Sequence, residues 1–185
     1  MFNIKPMKCE LCGIERKTLY NQTYHFEKTL SGLDNLYLQN ITVDYCEKCE
    51  DISPYFYRAI PLHKTIAQAI VLQPVPLIGN DIRFLRKHLG LRGKDFAELL
   101  HIDAATLSRW ENSEQNPSPQ SDLLVRTLFI SAWMDKYQEM FSEKLLPKIT
   151  SITSIRQSNF SIYVDSANLS YSYCYQTSSL DLLAG

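Results

Sequence analysis

The apolar positions change period several times along the chain, and each change marks a segment. Leu36-Tyr37-Leu38 and Ile41-Thr42-Val43-Asp44-Tyr45 alternate and are rich in β-branched and aromatic residues, which predicts strands up to the last cysteine pair. From Ile52 the period changes, and residues 61–72 read as a helix with Pro61 tolerated in its first turn. Residues 73–80 read as a linker, because Pro74, Pro76 and Gly79 break any helix.

A helical period then takes over. Residues 81–90 place Ile82, Leu85 and Leu89 on one face and Gly90 where a C-terminal cap belongs. A second helix over 93–100 turns Phe96, Leu99 and Leu100 inward, with Ala97 as a close-approach residue. His101-Ile102 form a turn, and Asp103 is positioned to cap a third helix over 104–112. Ile102, Leu107 and Trp110 complete the core. Ser121 or Asp122 caps a long fourth helix through Leu123, Leu124, Leu128, Phe129 and Trp133.

Three stretches have two readings each. Trp133, Met134, Tyr137, Met140 and Phe141 recur at spacings of three and four, which fits a dimer face or burial under the tail. Residues 159–164 and 169–175 fit two strands around a turn at 165–168, which would need a partner surface, or a Ser/Tyr-rich disordered tail. Tyr55-Phe56-Tyr57 read as core packing or, alternatively, a partner surface.

The expected fold class is therefore α+β. A small β-rich cysteine module with a helix (1–73) precedes a linker (74–80), an all-α helix-turn-helix domain with a long final helix (81–141), and a C-terminal extension (142–185).

Composition adds limits. The chain has 185 residues, 45% hydrophobic and 21% charged, which argues for a folded protein. Lys/Arg and Asp/Glu balance at eight each in residues 1–73 and seven each in 74–130, so no global basic field announces nucleic acid; any such footprint is local. No apolar stretch follows the N-terminus, and no run is long enough to span a bilayer. A cytoplasmic protein without membrane contact is the expectation, and in reducing surroundings paired cysteines are metal ligands or redox groups.

Cys9-Glu10-Leu11-Cys12 and Cys46-Glu47-Lys48-Cys49 are two C-x-x-C knuckles, which together supply the four-thiolate set zinc prefers in a closed structural site. Iron fits the same ligands. Thioredoxin-like chemistry needs a C-x-x-C at a helix start in a βαβ setting, which neither pair has. Gly13 suits the tight turn after the first pair, and Cys174 is left over in the tail. One structural zinc held by Cys9, Cys12, Cys46 and Cys49 is the expectation.

Helix, tight turn and short capped helix is the geometry that seats a recognition helix in the major groove. The outward face of the 104–112 helix carries Ala104, Ala105, Ser108 and Arg109. Arg109 is the side chain able to read guanine bidentately, and the alanines let the helix sit deep against thymine methyls. Arg92, Lys94, Thr106 and Asn112 flank it as phosphate contacts. No Ser-His-Asp, paired-carboxylate or phosphate-loop arrangement suggests an enzyme.

Leu89-Gly90-Leu91, Phe96-Ala97-Glu98-Leu99-Leu100 and Thr106-Leu107-Ser108-Arg109-Trp110-Glu111-Asn112 resemble the Cro-type (XRE) helix-turn-helix. The resemblance implies an ion pair between Arg86 of the first helix and Glu111 ending the third. The family usually has Thr-Gln where this chain has Arg92-Gly93. The combination of cysteine module, linker and XRE domain resembles the MqsA/YgiT-type antitoxins. That resemblance implies a homodimer that represses its operon at a palindromic operator on double-stranded DNA, and a toxin protein bound by the zinc module. Ala105 stands where relatives often place an asparagine, and the tail after the helix-turn-helix lies outside the pattern. A stand-alone regulator of the same architecture is the alternative.

Overall fold

A computed structural model of the protein describes residues 7–26, 32–138, 149, 152 and 160–175. The elements, in chain order, are β1 (Lys17–His25), β2 (Leu36–Cys46), β3 (Asp51–Tyr55), α1 (Ala59–Val71), α2 (Gly79–Leu89), α3 (Gly93–Leu99), α4 (Ala104–Glu111), α5 (Pro119–Tyr137), β4 (Phe160–Asp165) and β5 (Ser170–Tyr175). The fold class is α+β.

Strand β2 organises the sheet. Its alternation buries Leu36, Leu38, Ile41 and Val43. One edge pairs antiparallel with β1, from Lys17↔Tyr45 to His25↔Tyr37, with register shifts on either side of Gln22. The other edge is divided between two strands. β3 pairs antiparallel with Thr42 to Cys46, and β4 pairs parallel with Leu36 to Gln39. The hairpin β4–β5 thus has the partner surface a lone hairpin requires. It adds Phe160, Ile162 and Val164 to the buried side of the sheet. The Tyr173 hydroxyl donates to the Ala69 carbonyl of α1 at 2.8 Å.

Residues 73–78 are not an open tether. Val75 and Leu77 are fully buried, and helix α2 starts at Gly79 rather than Asp81. The reason is local. The Asp81 carboxylate accepts from the Ile78 amide at 3.0 Å and from Gln73 Nε2 at 2.9 Å, which satisfies a donor at the helix start. Gly79 is a close-approach residue: a Cβ there would meet the Trp110 carbonyl at 2.1 Å.

Arg126 of α5, fully buried, donates to the carbonyls of Val71, Gln73 and Val75 at 2.7, 2.9 and 2.7 Å. Asp122 accepts from Arg126 Nε and from the Leu77 amide, both at 2.5 Å. His63 of α1 stacks on Phe84 of α2, and His88 of α2 stacks on Trp133 of α5. One buried apolar cluster runs from Tyr24 through α1 and α2 to Trp133 and Val164.

Several helix expectations are corrected. Helix α5 begins at Pro119, capped by Ser118 Oγ accepting from the Ser121 amide, because proline needs no N–H partner there. Asp122 is spent on Arg126 and Leu77 instead of a cap. Asp103 occupies the N-cap position of α4, but its side chain makes no capping bond. Leu99, Leu123 and Leu124 are exposed; the core sides of α3 and α5 are Phe96 and Ala97, and Val125, Phe129, Ile130 and Trp133. Trp133 is buried within the chain, against His88, Phe129 and Tyr137. Met140 and Phe141 lie outside the described residues. Among the described residues no helix is long and apolar enough to cross a membrane.

Candidate nucleic-acid interface and metal centre

Helices α3 and α4 meet through a turn closed by the His101 amide on the Glu98 carbonyl and the Ile102 amide on the Ala97 carbonyl, each at 3.0 Å. His101 holds the left-handed φ of 52° that this turn requires. Phe96, Ala97, Leu100, Leu107 and Trp110 are buried, which fixes α4 with one face inward. Its opposite face presents Ala104, Ala105, Ser108 and Arg109 to solvent.

Glu111 at the end of α4 holds this frame to α2. Its two carboxylate oxygens accept from Arg86 Nε at 2.6 Å and Nη2 at 2.8 Å. Arg86 Nη1 donates to the Leu91 carbonyl at 2.9 Å, so one guanidinium fixes both the entry to α3 and the end of α4. The pair is nearly buried, and Arg86 is held more firmly protonated chiefly by its hydrogen bonds to Glu111.

The flanking residues differ in availability. Arg109 Nη2 donates to Thr106 Oγ1 at 3.0 Å and remains exposed. Lys94 is exposed. Arg92, 84% exposed, grips the Asp95 carboxylate at 2.8 and 2.9 Å, and that bond is the main reason Asp95 ionises more readily than usual. Asn112 accepts from Arg83 Nη2 at 2.7 Å, so it also ties α4 to α2. Arg83, which the sequence pattern does not single out, donates to the Glu111 carbonyl as well, at 2.6 Å.

The sulfur atoms of Cys9, Cys12, Cys46 and Cys49 lie within 4.8 Å of one another, and those of Cys12 and Cys46 are 3.5 Å apart. A tetrahedral zinc–thiolate set with bonds of ~2.3 Å has sulfur–sulfur edges of about 3.8 Å, so the cluster fits such an ion. Each knuckle is built by its backbone. The Cys9 amide donates to the Ile14 carbonyl at 2.7 Å, and the Gly13 amide to the Cys9 carbonyl at 2.8 Å. The residue after each pair is left-handed, Gly13 at φ 73° and Glu50 at φ 53°. The second of these positions escaped the sequence reading because glutamate does not advertise it.

Burial opposes ionisation of Cys9, but the backbone N–H groups of Cys12 and Leu11 and the hydrogen bonds with Cys46 and Cys12 outweigh it and bring the thiol down to about 6. Hydrogen bonding with Cys12 and then burial push Cys49 up to about 12. A bound dication would take all four as thiolates. With four protein sulfurs around it the ion has no open position, so its chemistry would be structural. Arg16 also borders the cluster, with Nη2 at 3.9 Å from Cys9 Sγ.

The fold and this frame define an α+β protein that carries a DNA-binding helix-turn-helix of the XRE type beside a four-cysteine cluster able to hold a metal ion such as zinc. Residues 82–121, from α2 into the start of α5, match the family described as helix-turn-helix. No curated protein and no solved structure matches the chain.

Proposed function

We propose that this chain is a sequence-specific transcriptional repressor of the antitoxin type, acting in the cytoplasm as a homodimer on a palindromic operator, and without enzymatic activity. The observation that carries the DNA half is the α4 face: Arg109, Ser108, Ala104 and Ala105 are exposed together on a helix locked to α2 by Arg86 and Glu111. In the proposed complex Arg109 reads guanine from the major groove, and Lys94, Thr106 and Arg92 meet phosphates. Arg92 would have to exchange Asp95 for a phosphate, which is the exposed, easily broken kind of pair. Asn112 contributes through its side-chain N–H while Arg83 holds its oxygen.

The toxin half of the reading rests on the first module. Phe56 and Tyr57, 37% and 58% exposed, stand at a cleft of about 200 Å³ where the edge of β2 passes from β4 to β3. Rings exposed at a cleft are what a protein partner buries. One zinc held by the four cysteines would fix the knuckles that shape this module. A stand-alone regulator would use the same DNA face without this partner.

The DNA reading is tested by selecting operator fragments from host DNA with the purified chain and titrating them with Arg109→Ala. A loss of specific affinity with an unchanged circular dichroism spectrum supports it; unchanged affinity removes Arg109 from the reading role. Binding should weaken steeply with salt, because phosphate contacts release counterions. Co-purification from the host tests the toxin reading, which fails if no small protein travels with the chain and its neighbouring frames encode none.

A further inference from the structure

Arg16 stands in the wall of the four-cysteine cluster and is 7% exposed. Its amide donates to the Met7 carbonyl at 3.0 Å, closing the hairpin that carries the first knuckle. Its guanidinium then reaches three groups. It donates to the Asp51 carboxylate, to Ser53 Oγ at 2.5 Å, and lies 3.9 Å from Cys9 Sγ through Nη2. Asp51 is paired across the sheet with Cys46, so the arginine touches one knuckle directly and the strand leaving the other.

A dication in four thiolates carries a net charge of about −2, and burying such a charge is costly unless something offsets it. Asp51, with 38% of its side chain exposed, is screened by water, whereas Cys9 is buried. The Nη2 that donates to Asp51 is also the guanidinium nitrogen that faces the sulfur, so one N–H-bearing atom of the cation serves both the carboxylate and the buried Cys9. We infer that Arg16 is a positioning residue of the metal centre, offsetting the thiolate charge at Cys9 and tying both knuckles to β3. The inference rests on the reading that the four cysteines hold a metal.

The test uses the full reduced chain, freed of metal and titrated with cobalt(II), then with zinc against a chromophoric chelator. The wild-type chain should develop the intense absorption of tetrahedral cobalt thiolate. Arg16→Gln should bind either metal ~10–100-fold more weakly, the range seen when an outer-shell partner of a ligand is removed. Its sulfur-to-cobalt charge-transfer band should move to lower energy, because the Cys9 lone pair loses a cation. Asp51→Asn removes the ion pair but leaves Arg16 beside the sulfur, so its band should stay in place. Arg16→Lys keeps charge and stem; it should shift the band the same way by less, and it serves if Arg16→Gln does not fold. Equal losses of affinity in Arg16→Gln and Asp51→Asn with no band shift would make the arginine a brace for β3 and overturn the inference. A wild-type chain that takes up no cobalt overturns the metal reading itself.

Discussion

Arg126 and Asp122 form a buried ion pair one helical turn apart in α5, and between them they bind four backbone groups of residues 71–77. The segment expected to be a tether is thereby part of the core. Its carbonyls, which would otherwise face water, are answered by a guanidinium with no exposed surface.

Removing one member of that pair should be costly. Arg126→Ala leaves the Asp122 charge buried and strips three carbonyls of their donor. The expected loss is about 3–5 kcal/mol of folding stability. Urea unfolding followed by tryptophan fluorescence measures it, and a loss under about 1 kcal/mol would show that water replaces the arginine.

Metal removal should be felt across the molecule. Val43, Ile66, Ile82 and Trp133 belong to one buried cluster, so releasing the knuckles should lower the cooperative transition of the helices as well. Chelator, or Cys46→Ser, is expected to shift the thermal midpoints of far-UV dichroism and of fluorescence from Trp110 and Trp133 together. A fluorescence midpoint that stays put would mean that the helical half folds by itself.

Gly93 opens α3 with nothing within 4 Å of where a Cβ would stand. Gly93→Ala should therefore stabilise the fold by up to about 1 kcal/mol, mainly by restricting the unfolded chain. Differential scanning calorimetry would register the gain. A destabilised variant would place an unseen contact at that position.

His88 lies among Phe84, Phe129, Trp133 and Tyr137. Burial first, then Lys136, His63 and Lys64, lower its folded value from 6.5 to about 4. The folded state thus prefers the neutral ring. The stability this gives is complete above pH 6.5 and is lost as pH falls from there toward 4, where the unfolded chain takes the proton first. Against His88→Gln, the wild type's advantage should shrink over that window. A constant difference across it would mean that His88 titrates normally.

Much of the helical half was legible because its signals are local. Ile82, Leu85, Phe96, Leu107 and Trp110 are buried where the 3.6-residue period places them, and Gly90 takes the left-handed cap at φ 78°. Leu99, Leu123 and Leu124 misled because an apolar residue beside a core face looks, in sequence, like a member of it. Asp122 and Arg126 left a trace that was readable: two charges four apart, one just before the apolar run Leu123 to Ile130 and one inside it. Arg16 left none, because a single arginine after a turn carries no period.

The sequence alone determined the cysteine spacing, the helix-turn-helix and the pairing of Arg86 with Glu111, each set by residues within a short stretch or by a motif. Tertiary structure decided that β4 returns to lie beside β2, that residues 73–78 are buried, and that Arg16 meets Cys9. Those contacts join residues whose neighbours in the chain give no sign of each other. Only the closing of one core over segments far apart in the chain brings Leu36 opposite Ile162, since burial rewards apolar surface wherever along the chain it comes from.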